Sequence, residues 1–177
     1  MRVIAGRLGG RTFASPRGHR THPMSDKVRV GVFGVLGDIK GLTVLDAFAG
    51  SGALSIEAIS RGAKSALAVE VDKKAHRTIT ESCEALGISG RVKAIRAFVN
   101  AWSTRHQSEK FDLVFADPPY DDIPYRDMKV LPRHLKDSGT LVLSWPGGEE
   151  PLKFDGLYVV QTKNYGDAQL VFYQKNG

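Results

Sequence analysis

The stretch Asp117-Pro118-Pro119-Tyr120 is the part of the chain best suited to chemistry. The Asp117 carboxylate and the Pro118 carbonyl are two neighbouring acceptors, and consecutive prolines fix the backbone so that both point outward. Facing an exocyclic NH2 group, two such acceptors would polarise and hold a nitrogen whose lone pair is otherwise delocalised into its ring. Tyr120 adds a flat face on which an extruded base can stack. The chemistry is group transfer to a base amine by orientation and electrostatics, with no covalent enzyme intermediate. Taken alone, the same four residues also describe a strand ending in a rigid turn, with Asp117 capping and Tyr120 on the surface.

A second constellation precedes it. Asp46-Ala47-Phe48-Ala49-Gly50-Ser51-Gly52 follows an apolar run and opens a helix, the position at which open parallel sheets bind ligands. A dinucleotide site would place a third glycine at Ser55 and keep charge away from the pyrophosphate. Asp46 would repel that anion. It favours S-adenosylmethionine, whose sulfonium and ammonium are cationic and whose carboxylate can still take backbone N–H groups. Gly50 and Gly52 let the backbone approach the ligand. Glu70, closing the next strand, can accept ribose hydroxyls or remain a solvated strand-end charge. Phe48 is either core or a wall of the pocket.

The elements that must position these residues are legible as alternating strand and helix. Strands are expected at 43–46, 65–70, 92–95, 111–116 and 140–144, with a closing antiparallel hairpin of 157–162 and 168–173. Helices are expected at 53–61, 73–86 and 128–135. Before them, a small hairpin pairing 2–5 with 11–14 precedes a helix over 25–36. So small a hairpin cannot fold alone and should pack on the main domain or order on a ligand. The expected division is a basic extension, 1–40, and a main domain, 41–177.

Of 177 residues, 42% are hydrophobic, enough for a core. The net charge is +6, and residues 1–40 carry all of it, with eight Lys or Arg against two Asp. A polyanion is expected to approach there, although a basic end can also serve solubility alone. One cysteine, Cys83, excludes an intrachain disulfide and is expected to pack on a helix. The histidines are scattered and no metal is expected. With neither a signal peptide nor a membrane-length apolar run, a soluble cytoplasmic protein is expected.

The succession of basic segment, Asp46-Ala-Phe-Ala-Gly-Ser-Gly-Ala-Leu, Glu70 and Asp117-Pro-Pro-Tyr resembles the RsmD family of bacterial 16S rRNA guanine-N2 methyltransferases over nearly the whole chain. The resemblance implies a class I methyltransferase fold: an α/β, Rossmann-like, mostly parallel seven-stranded sheet with a reversed final hairpin. It implies S-adenosylmethionine as methyl donor and 16S rRNA or the assembling small subunit as partner, and a monomer is expected. Cofactor contacts are then expected from Asp46, Ala47, Phe48, Gly50, Ser51, Gly52, Glu70, Val71 and Phe98. The reaction centre is Asp117, Pro118, Pro119 and Tyr120, and Arg7, Arg11, Arg17, Arg20 and Arg29 are expected to bind RNA. The chain departs from the family where an Arg-Pro-Thr stretch and an Arg-Glu pair are replaced by Thr21-His22-Pro23-Met24 and Arg29-Val30. It departs again at Ala97-Phe98 and near Ser82-Cys83, where polar cofactor contacts are usual. A DNA adenine-N6 or cytosine-N4 methyltransferase, and a non-catalytic module binding RNA or cofactor, are the alternatives.

Overall fold

Runs that are apolar at consecutive positions need cover on both faces, and a parallel sheet flanked by helices supplies it. In the computed structural model, which describes residues 1–16 and 24–175, Thr43–Asp46 (β1), Ser65–Glu70 (β2), Val92–Arg96 (β3) and Phe111–Ala116 (β4) pair in parallel. Leu135–Pro146 (β5) joins β4 in parallel, and Leu157–Asn164 (β6) and Ala168–Lys175 (β7) complete the sheet antiparallel. The order is β3-β2-β1-β4-β5-β7-β6. The chain winds outward from β1 to β3 and then crosses back to β4. The carboxyl ends of β1 and β4 are therefore a topological switch point, where such sheets open a crevice.

Helices cover the two faces. On one lie Asp26–Leu36 (α1), Ala53–Ser60 (α2) and Lys73–Leu86 (α3), whose Phe33, Ile56 and Ile79 share a core with Val44, Phe115, Val142 and Phe172 of the sheet. On the other, Trp102 of Val99–Arg105 (α4) and Met128 of Tyr125–Met128 (α5) pack with Leu45, Val114, Leu143 and Trp145. Ser25 caps α1 by accepting the Val28 N–H, and Asp72 caps α3 through Ala75. Cys83 is buried on α3, and burial pushes its thiol up to about 11.

Three expectations change within the main domain. The helix expected over 128–135 is broken into α5 and a 3-10 turn, Leu131–His134, because Pro132 lacks the N–H that a continuing helix needs. β5 starts at Leu135, five residues earlier than expected, and α4 was not foreseen at all.

The N-terminal hairpin is reduced to one antiparallel bridge, Arg2 with Thr12. Residues 1–13 are nevertheless firmly docked. Val3, Leu8 and Phe13 enter the same core as α1–α3. The buried Glu57 carboxylate accepts the Ile4 and Ala5 N–H groups at 2.8 and 3.0 Å, and Ser60 Oγ accepts from Leu8 and donates to the Ala5 carbonyl. Gly6, at φ +79°, lies so close that a Cβ there would stand 2.1 Å from the Ser60 carbonyl oxygen. Residues 1–13 and α1 thus share the core of the main domain.

Candidate active site

Asp46 ends β1 and is buried, with Oδ2 accepting the Ser55 hydroxyl at 2.7 Å and the Ser55 N–H at 3.2 Å. The position where a dinucleotide loop wants glycine is therefore a clamp on the acid. The intervening turn is shaped by Gly50 at φ +53° and Gly52 at φ +75°, a region that side chains other than glycine's rarely enter. Glu70 braces this turn: Oε2 accepts the Gly50 N–H and Oε1 the Asp72 N–H, both at 2.7 Å. Each oxygen keeps a lone pair for a ligand hydroxyl. Glu70, expected to be a ribose acceptor or a solvated strand-end charge, thus also fixes the glycine turn.

Asp46, Glu70 and Asp117 thus stand at the carboxyl ends of strands β1, β2 and β4, which neighbour one another in the sheet. Burial pushes the Asp46 carboxyl up to about 7 against the pull of its two Ser55 bonds, and the charges of Asp117 and Glu70 push it further. Burial likewise raises Asp117 to about 6, moderated by the Ser144 hydroxyl. A crevice that resists its own negative charge is hostile to a pyrophosphate and receptive to a cation. At its outer end Val71, just past β2, and Phe98, just past β3, are 45% and 63% exposed. Large apolar side chains at adjacent strand ends offer walls to a flat ring. Ala47 and Ser51 are buried in the turn, and Phe48 packs at the margin of the core.

β4 stops at Ala116, and the prolines carry the chain outward, with Pro118 buried and Pro119 exposed. Asp117 is half-buried. The Tyr120 hydroxyl shares a 2.7 Å hydrogen bond with Ser144 Oγ of β5, while its ring is 36% exposed. Held at its tip, that ring is a fixed platform. Ser144 was missed in the sequence, although one signal was present: a lone hydroxyl within the apolar run Leu141-Val142-Leu143-Ser144-Trp145.

The model of the family described as Conserved hypothetical protein 95 matches residues 1–174. Ribosomal RNA small subunit methyltransferase D of Escherichia coli (strain K12) is 34% identical over 122 residues, which cover 68% of this chain and 60% of that protein. YlbH of Bacillus subtilis (strain 168), assigned by its name to the rRNA methyltransferases, is 31% identical over 186 residues and the full length of both chains. The chain belongs to the RsmD family. Among solved structures, yhhF of Escherichia coli superposes with a TM-score of 0.84 at 25% identity, covering 99% of this chain and 97% of that one. A second, SMU.776, solved as a complex with SAH, shares the fold at a TM-score of 0.67 and 14% identity over 83% of this chain and 48% of that one.

Within this RsmD-family chain the arginines expected to meet RNA fall into three groups. Arg7 and Arg11 are exposed, at the far end of the sheet from Asp117. The Arg7 N–H is bonded to the Ser60 carbonyl, and the Arg11 guanidinium donates to the Leu86 and Ala85 carbonyls at the end of α3. Arg29 does not fit the expectation. It is fully buried on the inner side of α1, donating to the Arg2 carbonyl and to Asp26 Oδ1 at 2.8 and 2.7 Å, and no phosphate can reach it. Arg17 and Arg20 lie outside the described residues. Among the described residues there is no metal-binding cluster of His, Cys, Asp or Glu, and no helix long and apolar enough to cross a membrane.

Proposed function

We propose that this chain methylates the exocyclic N2 amine of a guanine in small-subunit rRNA, with S-adenosylmethionine as methyl donor. The observation that carries this reading is the group of three carboxylates, Asp46, Glu70 and Asp117, around a glycine turn at the switch point, two of them raised by burial. Residues of this character fit the donor: Asp46 would face its cationic end, Glu70 would accept from its ribose, and Val71 and Phe98 would flank its adenine. When bound, S-adenosylmethionine supplies an electrophilic methyl group and leaves as S-adenosylhomocysteine.

The chain's own residues prepare the nucleophile. Asp117 and the Pro118 carbonyl accept the two amine hydrogens, turning the nitrogen lone pair toward the methyl group. Tyr120, fixed by Ser144, stacks on the extruded base. Asp117, with a carboxyl near 6, is basic enough to hold the proton that the amine loses on methylation. Arg7 and Arg11 contact phosphates away from the reaction centre, and Arg17 and Arg20 add phosphate contacts of their own.

The test is transfer of labelled methyl from S-adenosylmethionine to small-subunit rRNA, to immature small subunits and to duplex DNA, with the modified nucleoside identified by mass spectrometry. N2-methylguanosine in rRNA is expected. Label in DNA alone would show a DNA amino-methyltransferase, and RNA binding without turnover on any substrate would show a non-catalytic module.

A further inference from the structure

A second cleft, of about 590 Å³, lies between Tyr125, Trp145 and the segment 149–153. Trp145 directly follows Ser144, the residue that holds Tyr120, and Tyr125 lies five residues beyond Tyr120. The cleft and the target platform are therefore carried by the same two pieces of chain. The reaction described above uses nothing in it.

The far wall is held in place by buried side chains. The Trp145 indole N–H donates to the Glu150 carbonyl at 3.0 Å, Gln169 Nε2 to the Pro146 and Glu149 carbonyls at 2.8 and 2.7 Å, and the Tyr173 hydroxyl to the Leu152 carbonyl at 2.7 Å. Trp145, Gln169 and Tyr173 are each at most 5% exposed. Three buried side chains thus fasten an exposed segment, presenting Pro151 and Leu152 across from Tyr125. Tyr125 is itself 52% exposed, and its ring is set edge-on to Trp145, with centroids 6.5 Å apart.

We propose that this cleft seats a nucleobase next to the methylated one, stacked on Tyr125. This rests on the reading of the chain as an RNA methyltransferase. An aromatic face and an apolar wall suit the flat surface of a base, the usual means of holding unpaired RNA. The rim decides which part of the nucleotide enters. Glu150 is paired with Lys153 at 2.7 Å, but the Glu149 carboxylate makes no ion pair among the described residues. A free carboxylate repels phosphate and accepts from base N–H groups, so it is the base edge, carrying donors, that faces the cleft. Arg126 and Lys129, exposed on and just after α5, offer cations to the backbone on the outside.

Steady-state kinetics and ultraviolet crosslinking with small-subunit rRNA, naked and assembled, test the proposal at saturating S-adenosylmethionine. Tyr125→Leu is expected to raise KM for RNA about tenfold or more, with kcat and cofactor Kd unchanged, whereas Tyr125→Phe keeps the wild-type KM. Glu149→Gln should raise KM by a smaller factor. A crosslink from the Tyr125 peptide to a nucleotide adjoining the methylated one would support the assignment. An unchanged KM in Tyr125→Leu, or a crosslink to a ribosomal protein instead, overturns it. A wild-type enzyme that methylates no RNA defeats the broader functional reading, a result distinct from either.

Discussion

At the carboxyl edge of the sheet Asp46, Glu70 and Asp117 converge beside exposed Val71, Phe98 and Tyr120. At the amino edge, Arg7 and Arg11 are tied to the carbonyl ends of α2 and α3. Helices in a parallel sheet return antiparallel to the strands, so Ser60 and Leu86 lie a strand length from Asp117. For a strand of six residues such as β2 that is about 20 Å. Asp46 and Asp117, whose carboxyls burial raises, and the exposed charges that attract a polyanion are thus kept apart. Had the arginines stood beside Asp46, they would have lowered its carboxyl and favoured an anionic ligand. The separation predicts that damage at one edge changes the chemical step or cofactor affinity, and damage at the other changes only RNA affinity.

The largest effect should come from Asp117→Ala. Losing one of the two acceptors on the amine is expected to lower kcat about a thousandfold, with the cofactor Kd within a few-fold of wild type. In the intact enzyme kcat/KM should rise with pH through a limb near 6, as Asp117 loses its proton and becomes an acceptor. A pH profile flat between 5 and 7, or an Asp117→Ala variant that loses RNA affinity instead of turnover, would break the division between the edges.

Asp46→Asn comes next and acts in two directions. Cofactor affinity should fall tenfold or more by calorimetry. Stability should rise, because the native Asp46 carboxyl titrates at about 7 and the unfolded one near 4. Between those values the native state holds a proton that the unfolded state has lost, so wild-type stability falls as pH climbs, and the full cost is present above 7. The variant escapes that cost. Urea unfolding should show its advantage growing from pH 4 to pH 8, to on the order of 2–4 kcal/mol, less whatever the Ser55 bonds lose.

Replacing Arg7 and Arg11 together by Ala should raise KM for RNA about tenfold and make its salt dependence shallower by about one unit of slope per phosphate contact, with kcat unchanged. An unaltered salt slope would leave Arg11 as a fastener of the α3 end alone. Arg29→Ala should behave differently again. It empties a fully buried site and should lower Tm before it affects RNA affinity at all.

The contrast between the edges also explains what the sequence revealed. β1, β2, β4 and α3 were legible to the residue, because consecutive apolar runs, Gly87 and the prolines each dictate local structure without outside help. α4 was hidden because Val99-Asn-Ala-Trp-Ser-Thr-Arg contains poor helix formers and Phe98 provides no side-chain cap. Its start is held by Asp127, whose carboxylate accepts the Asn100 N–H at 2.6 Å from another element. The acids of the site were visible as types and positions, whereas Ser144 and the Glu70 brace arise only when β5 and the glycine turn are brought alongside. Arg29 was misassigned because counting charge ignores face: it stands at helical spacing from Val32 and Phe33, which are buried with it.

The smallest effect is also the most selective. At pH 6.5 both Asp46 and Asp117 are partly protonated in the free enzyme. A sulfonium or ammonium placed against them lowers both carboxyls, so binding must release a fraction of a proton. Calorimetry of S-adenosylmethionine in buffers of different ionisation enthalpy at pH 6.5 should therefore give enthalpies that differ in proportion to the protons released, while at pH 9, with both acids already ionised, that release should vanish and any difference left comes from proton uptake by the ligand's own amino group. S-adenosylhomocysteine lacks the sulfonium charge and should release fewer protons at pH 6.5. Asp46→Asn should narrow the difference between the two ligands, and Arg7→Ala with Arg11→Ala should leave it untouched. Equal proton release for both ligands would mean that the carboxylates sense the amino end alone and that the sulfonium sits beyond their reach.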